Sequence, residues 1–277
     1  MNNLIIVKGG GDLATGVAHR LHRSGFDVVI TEIARPTVIR RTVAFAQAVF
    51  TGQITVEDVT ARLTEPDDAG RVLADGDIPL LIDPQALCVG KLQPTAVIDA
   101  IMAKVNTGTT ISDAPVVIGI GPGFTAGADV HAVVETARGH YLGRVYLRGS
   151  AAPNTGLPGE IGGYTTERLV RSPGEGLFRS CRSIGDVVAK GETVAYVDDM
   201  PVTTAMAGML RGLLQDGLTV FAGMKIGDVD ARCERDHCFT ISDKARSIGG
   251  GVLEALLCLS QGTDSGTSGG AKTARHK

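Results

Sequence analysis

The feature that most constrains the fold is a strand, glycine and helix pattern near the N-terminus, which reads LIIVKGGGDLATG over residues 4–16. Its first four residues form a short continuous apolar run, which is typical of a strand buried on both faces. After the glycines, Leu13, Val17 and Leu21 recur at i, i+4 and i+8 and predict an amphipathic helix. A buried strand that turns through glycines into a helix is the usual first unit of a parallel α/β sheet.

Strand and helix signals then alternate as far as about residue 120. The pattern predicts further strands at 28–30, 79–83 and 115–118, and helical stretches at 40–50, 67–73 and 95–103. Strands separated by helices of this length predict a parallel sheet with right-handed crossovers. We therefore expect a Rossmann-like α/β domain over residues 1–125.

The glycines match a dinucleotide-binding pattern. Gly9-x-Gly11-x-x-Ala14 satisfies G-x-G-x-x-G/A, and Glu32 ends the next predicted strand, where an acid would bind a ribose hydroxyl. Asp12 suits the dipole of the helix but would repel a phosphate on the same amides. Two interpretations stay open. Either Gly9, Gly10, Gly11, Asp12 and Glu32 form a nucleotide site, or the turn binds no dinucleotide and Asp12 caps the helix.

A second glycine loop follows the strand predicted at 115–118. Gly119, Gly121 and Gly123 surround Pro122, which favours a rigid loop over the start of a helix. Free amides in such a loop can surround an anion, so the three glycines are further cofactor-binding candidates. Downstream, His140 is a candidate catalytic residue; its alternative is a surface histidine in an interdomain turn.

The second half of the chain is predicted to be a β-rich domain over residues 126–239 that contains an internal repeat at 184–230. Two similar pieces, 184–197 and 214–229, each combine a glycine–aspartate turn with apolar residues of period two. This pattern is similar to the lipoyl and biotinyl carrier fold, a barrel-sandwich whose hairpin presents a modified lysine. The tip here reads TAMA over 204–207, so a swinging arm is not expected.

The cysteines give two further candidates for chemistry. Cys233 and Cys238 could act as a thiol pair, but a structural zinc site would need a second pair, so we assign no metal. The chain has five cysteines, an odd number, and they are scattered. That usage favours reduced thiols and a cytoplasmic location.

The C-terminal part is predicted to be a helix at 240–260, capped by Ser242, and a disordered tail at 261–277. Gly249, Gly250 and Gly251 are costly inside a helix, so we expect them to pack closely against backbone or a ligand. The net charge of −3 gives no reason to expect nucleic acid as a partner. No apolar run approaches the length of a membrane span, so we expect no membrane partner.

Five motifs occur in order along nearly the whole chain: GGGDLATG, RPTVIRRTVAFAQAV, GIGPGFTAGADVHAVVETARGHYLGRV, GMKIGDVD and ISDKARSIGGGVLEA. They resemble the YqeB-type proteins of the selenium-dependent molybdenum hydroxylase system. The resemblance implies a cytoplasmic accessory factor that helps to mature a molybdenum hydroxylase carrying labile selenium at its cofactor. It transfers no catalytic residue to this chain.

The resemblance implies a molybdenum hydroxylase or other maturation proteins as partners, and a homo-oligomer stays open. The ligand would be a nucleotide or a pterin phosphate, with the molybdenum cofactor as one candidate. One alternative is an NAD(P)-dependent oxidoreductase, for which His140 is the tempting proton donor, although no Tyr-x-x-x-Lys pair is present. The other is a non-enzymatic scaffold that docks the hydroxylase. Whether the chain is an enzyme is left open.

Overall fold

The computed structural model describes residues 3–156 and 159–263. The helices are α1 Asp12–Arg23, α2 Ala48–Thr51, α3 Ala69–Ala74, α4 Cys88–Leu92 and α5 Asp243–Thr263. The strands of the first part are β1 Leu4–Lys8, β2 Asp27–Glu32, β3 Gln53–Val56, β4 Val59–Leu63, β5 Ile78–Ile82, β6 Ala96–Asp99, β7 Val116–Ile120, β8 Ala132–Val134 and β9 Val145–Tyr146. Those of the second part are β10 Leu169–Arg171, β11 Gly176–Ser180, β12 Val187–Val188, β13 Thr193–Val197, β14 Met200–Thr203, β15 Gly208–Leu213, β16 Thr219–Val220 and β17 Lys225–Asp230.

The first part is built on one large mixed sheet. Within the described residues, nine strands follow the order β3-β4-β5-β2-β1-β6-β7-β8-β9. The strands from β4 to β8 are parallel, whereas the two edge strands, β3 and β9, are antiparallel to their neighbours. The chain starts at β1 in the middle and builds outward in both directions, so the strand order reverses there. The carboxyl ends of β1, β2, β6 and β7 consequently meet along one side, here called the carboxyl edge.

The sheet is buried on both faces, which explains the continuous apolar run of β1. Successive side chains of a strand point to opposite faces. Ile5 and Val7 belong to the main core under α1 and α5, whereas Leu4 and Ile6 belong to a smaller core under α3 and α4.

Helices α1 and α5 approach each other through small residues. A Cβ atom on Gly249 would lie 2.8 Å from the carbonyl oxygen of Gly16, and one on Gly251 would collide with that of Gly143. The expected close packing of the α5 glycines against backbone is thus confirmed for these two. The expected cap is confirmed as well, because the hydroxyl of Ser242 accepts a hydrogen bond from the amide of Ala245 at 3.2 Å.

The second part forms two antiparallel sheets of its own. Their orders within the described residues are β10-β17-β15-β12 and β14-β13-β11-β16, and a separate apolar core lies with them. Residues 39–47 join this part to the large sheet. There, the amide of Leu213 donates to the carbonyl of Ile39 at 2.7 Å, and the side chain of Gln47 bonds that of Gln215 at 3.0 Å.

The expected fold class, a Rossmann-like parallel sheet followed by a lipoyl- and biotinyl-like barrel-sandwich, is wrong. The large sheet is mixed rather than parallel, because its edge strands β3 and β9 run antiparallel to their neighbours. The connections from β6 to β7 and from β7 to β8, both fully described, contain no helix, and α5 returns from the far end of the chain to cover that face. The second part has two separate antiparallel sheets where one barrel was expected.

One expectation about a single element is also wrong. Residues 95–103, expected to be helical, form the short buried strand β6 and then a loop, because a brief apolar run fits either period. The domain divisions at residues 125, 239 and 260 stay predictions. From residue 264 onward, the tail predicted at 261–277 lies outside the described residues. Over the described ranges, no helix combines the length and the apolar character that crossing a membrane requires.

Candidate ligand-binding site

The first glycine turn joins β1 to α1 at the carboxyl edge, and its three glycines differ in what they do. Gly9 has φ +92°, and a Cβ atom there would lie 3.1 Å from the carbonyl oxygen of Ala100. A Cβ atom on Gly10 would lie 2.8 Å from the amide nitrogen of Ala46. These two glycines are therefore needed for close backbone contacts. Gly11 has φ −63°, and a Cβ atom there would meet only the side chain of Val38, at 3.6 Å.

Gly11 and Val38 both line a cavity of about 260 Å³ at the reversal of strand order, where open α/β sheets bind ligands. Glu32, at the end of β2, also lines it. Its two carboxylate oxygens accept hydrogen bonds from the amides of Gly10 and Ile33, both at 2.8 Å. Burial raises the pKa of Glu32, although these two hydrogen bonds act in the opposite direction.

The chemistry of this cavity, here called the Glu32 cavity, is that of an apolar pocket with one acid. The lining residues are Gly9, Gly11, Thr31, Glu32, Ile33, Pro36, Thr37, Val38, Pro84, Ala100 and Ile101. No cation is among them, so the cavity favours an apolar ring with hydroxyl or amino donors over a phosphate.

Asp12 does not cap the helix, and its use as a cofactor-binding residue stays a prediction. It is the first residue of α1, whose N-cap is Gly11, and its carboxylate forms an ion pair with Arg40 at 3.1 Å. Arg40 is buried and also donates to the carbonyl of His237 at 3.0 Å. The negative charge of Asp12 is thereby compensated by the segment that joins the two parts of the chain.

The glycines of the second loop permit close packing and do not line the Glu32 cavity. A Cβ atom on Gly119, inside β7, would lie 2.5 Å from the ring of Phe124. Gly121 has φ +78° and faces the hydroxyl of Thr136, and Gly123 has φ +111° and faces the backbone of Val105. Their use as cofactor-binding residues stays a prediction.

Residues 100–105, which follow β6, lie between the two glycine loops. Gly9 contacts this segment at residues 100 and 101 and Gly123 contacts it at residue 105. Within it, Met102 and Lys104 have φ of +63° and +66°, a region that side chains other than glycine rarely adopt. The two loops therefore hold a strained segment from both sides, and each has its own cavity.

The second cavity, of about 440 Å³, lies beside the second glycine loop and the start of α5. Lys104, Arg138 and Lys244 line it, together with Thr136 and Pro122. Sequence reasoning missed Lys104 and Lys244. They are 140 residues apart in the chain, and no local pattern links them.

The candidate catalytic residues lie outside both cavities. Cys238 is buried, burial raises the pKa of its thiol, and its sulfur lies 3.7 Å from the carbonyl of Leu210. Cys233 is exposed, with φ +54°. His140 is exposed and lies edge-on to the ring of Tyr141, 4.9 Å between centroids. Any thiol chemistry at this pair would therefore depend on Cys233.

A candidate cation site lies where α1 meets the turn between β3 and β4. The ligand atoms of His19, Glu57 and Asp58 all lie within 4.8 Å of one another. Both carboxylates already form ion pairs, Asp58 with Arg23 and Glu57 with Arg246. Because these arginines already compensate the acids, we assign no metal there.

Fold and site together define an α/β protein with ligand-sized cavities at the carboxyl edge of a mixed sheet. No family model matches the chain. It is 51% identical over 259 residues to the uncharacterized protein YqeB of Escherichia coli K12. The match covers 93% of this chain and 48% of that protein, so the chain spans about half the length of this relative. This identity confirms the resemblance to YqeB-type proteins. It does not test the role in hydroxylase maturation.

Solved structures give only weak likenesses. An aspartoacylase family protein from Mesorhizobium loti is 11% identical with a TM-score of 0.26, and the match covers 82% of this chain and 83% of that one. The ectoine utilization protein EutE (DoeB) from Ruegeria pomeroyi is 13% identical with a TM-score of 0.26, covering 82% and 84%. At these scores, neither likeness carries an argument about fold or function.

Proposed function

We propose that this chain is an accessory factor for the maturation of selenium-dependent molybdenum hydroxylases and that it binds a nucleotide or pterin-type ligand at the carboxyl edge. The observation that supports ligand binding is the Glu32 cavity, which lies where the strand order reverses and where a held carboxylate faces apolar walls. The hydroxylase role rests on the resemblance to YqeB-type proteins.

The Glu32 cavity suits the shared chemistry of these ligands. A nucleoside and a pterin each combine a flat ring with hydroxyl, amino or ring N–H donors. The ring would lie against apolar walls such as Ile33, Val38 and Ile101. The donors would bind the carboxylate of Glu32, which the amides of Gly10 and Ile33 already hold in place. No comparable observation favours the oxidoreductase, because His140 lies outside the cavity.

Calorimetric titration with NAD, NADP, ATP, CTP and a pterin phosphate tests the binding, with Gly11→Val as the blocking variant. A side chain at residue 11 meets no backbone and needs no positive φ, so the variant should fold and fill the cavity. We expect one ligand to bind wild type and to lose at least tenfold in affinity in the variant. Gly70→Val, on an open face of α3, is the matched control and should bind as wild type. If every ligand fails with wild type, the binding proposal is wrong.

The accessory role needs a cellular test. In a selenium-supplied host that lacks this protein, we expect hydroxylase activity to be low and to be restored by wild type but not by Gly11→Val. Full hydroxylase activity in the host without the protein would contradict the role. If Gly11→Val restored hydroxylase activity, the accessory role would not depend on the Glu32 cavity, and a non-enzymatic scaffold would be favoured.

A further inference from the structure

The second cavity concentrates positive charge. Among residues 3–156 and 159–263, its charged lining residues are Lys104, Arg138 and Lys244, and no carboxylate lines it. The three come from the segment after β6, the loop after β8 and the first turn of α5. The fold thus brings together three cations that are far apart in the sequence, on the opposite side of residues 100–105 from the Glu32 cavity.

Lys244 is the unusual member of the three. Its side chain is half-buried, and among the residues that the structure describes it has neither a hydrogen bond nor a carboxylate within ion-pair distance. Burial lowers the pKa of its ammonium, and the charge of Arg138 lowers it further, while Asp12, Asp243 and Glu135 act in the opposite direction. A desolvated, unpaired ammonium beside another cation is unfavourable unless an anion joins them.

Arg138 is fixed by a bidentate ion pair. Its two terminal nitrogens donate to the carboxylate of Asp243 at 2.8 and 3.1 Å. This pairing holds the guanidinium at the cavity wall and compensates part of its charge. Lys104 makes no ion pair within the described ranges, and its backbone lies in the left-handed region. Lys104 and Lys244 are therefore the two lining cations whose charge no ion pair within the described residues compensates, so both can bind an anion.

The wall behind these cations is held by a buried acid. The carboxylate of Glu135 accepts hydrogen bonds from the amides of Thr136 and Ala137, each at 2.7 Å, and of Ala152 at 2.8 Å. These amides point into the wall and cannot bind an anion in the cavity. The hydroxyl of Thr136 has no hydrogen bond within the described part of the chain, so it is available as a donor beside the cations.

We propose that this second cavity is a phosphate-binding site in which Lys244, Lys104 and the hydroxyl of Thr136 hold a phosphate group beside the fixed guanidinium of Arg138. The ligand class is a small molecule that bears a phosphate. These several donors match the oxygens of a phosphate dianion better than they match the two oxygens of a carboxylate ligand. The site is distinct from the Glu32 cavity, which has an acid and no cation, and it stands whether or not that cavity binds a nucleotide or pterin.

Calorimetry and thermal unfolding of the full chain with inorganic phosphate and with glycerol phosphate test the site. We expect wild type to bind at least one of the two and to melt at a higher temperature with it. Lys244→Met should weaken binding at least tenfold and abolish the rise in melting temperature. The unliganded variant should melt no lower than wild type, because the substitution removes an unpaired, half-buried charge.

Two controls make the result specific. Lys190→Met removes an exposed lysine in the turn between β12 and β13 and should leave phosphate binding unchanged. Gly11→Val should also bind phosphate as wild type does, so failure at one cavity is distinguishable from failure at the other. Equal affinity of wild type and Lys244→Met would overturn the proposal, as would the absence of binding of either ligand to wild type. Binding of glycerol phosphate alone would assign the site to phosphate esters rather than to free phosphate.

Discussion

At the scale of residues, the two cavities of the carboxyl edge differ in the charge of the side chains that line them. Within the part of the chain that the structure describes, Glu32 is the one ionisable group lining its cavity, whereas the lining of the second cavity has cations and no acid. Asp12, which has the right place to repel a phosphate, is instead compensated by Arg40. Glu32 and the first glycine turn therefore share one cavity, and the cations Lys104, Arg138 and Lys244 line another.

The two candidate thiols should differ in reactivity. Cys233 is exposed, whereas Cys238 is buried and its pKa is raised, so of these two thiols a reagent in solvent reaches that of Cys233. With a thiol-specific chromogenic reagent, Cys233→Ala should lose one fast-reacting thiol relative to wild type and Cys238→Ala should lose none.

Cys88 provides an internal reference for a slow thiol. Burial, followed by the neighbouring Asp83, raises its pKa to about 12. Fast labelling of Cys238 in the native chain would contradict this assignment. If both alanine variants support full hydroxylase activation in the cellular test, neither thiol takes part in the chemistry.

At the scale of elements, two neighbouring glycines of α5 differ in how closely they pack, so substituting each of them tests the packing of the helix. Gly251→Ala would place a methyl group against the carbonyl of Gly143 and the side chain of Val134, whereas Gly250→Ala would meet nothing within 4 Å. We expect the first to lower the free energy of unfolding by about 1 to 3 kcal/mol through overpacking. The second should raise it by about 0.5 to 1 kcal/mol through helix propensity. Urea denaturation of both variants would measure this, and equal effects would contradict the packing.

Elements with a strong local signal could be predicted, and those fixed by distant packing could not. The sequence around β1 and α1 combines an apolar run, glycines and helical periodicity, so both elements were found. The cap of α5 by Ser242 was found for the same reason. Strand β6 was missed because its short apolar run lacks a distinguishing period. The second cavity was missed because its cations, Lys104, Arg138 and Lys244, meet only through the tertiary fold.

For the whole molecule, the junction between the large sheet and the antiparallel part explains why a separate carrier-like domain was the wrong expectation. The side chain of Arg40 bonds both Asp12 of α1 and the carbonyl of His237, and that of Thr42 donates to the carbonyl of Cys238 at 2.6 Å. The contacts of Arg40 with His237 and of Thr42 with Cys238 join residues 197 and 196 positions apart and have no signature in a local repeat. The second part is thus anchored close to the first glycine turn.

A buried charge cluster lies in the antiparallel part. Asp228 and Asp230 lie on β17, and the side chain of Arg211, at an irregularity of β15, lies 3.8 and 3.7 Å from their carboxylates. Arg168 adds an ion pair with Asp228 at 2.9 Å. Because each acid is nearly inaccessible, removing one partner should leave a buried charge uncompensated.

Asp230 should make the stability of the whole molecule depend on pH in acid. Burial would raise the pKa of Asp230, but hydrogen bonds and charge from Arg232, with the charge of Arg211, outweigh it and lower the pKa from 3.8 to about 2. A pKa depressed on folding adds stability above the unfolded value, and that stability is lost as the pH falls from about 4 to about 2. Asp230→Asn should therefore be less stable than wild type by about 1 to 2 kcal/mol at pH 7, with the gap closing by pH 2. Denaturant unfolding at several pH values measures the gap. The control Asp199→Asn, at an exposed turn, should be as stable as wild type at every pH. If the difference in unfolding free energy between Asp230→Asn and wild type stays constant down to pH 2, the carboxylate of Asp230 is not the source of the pH dependence.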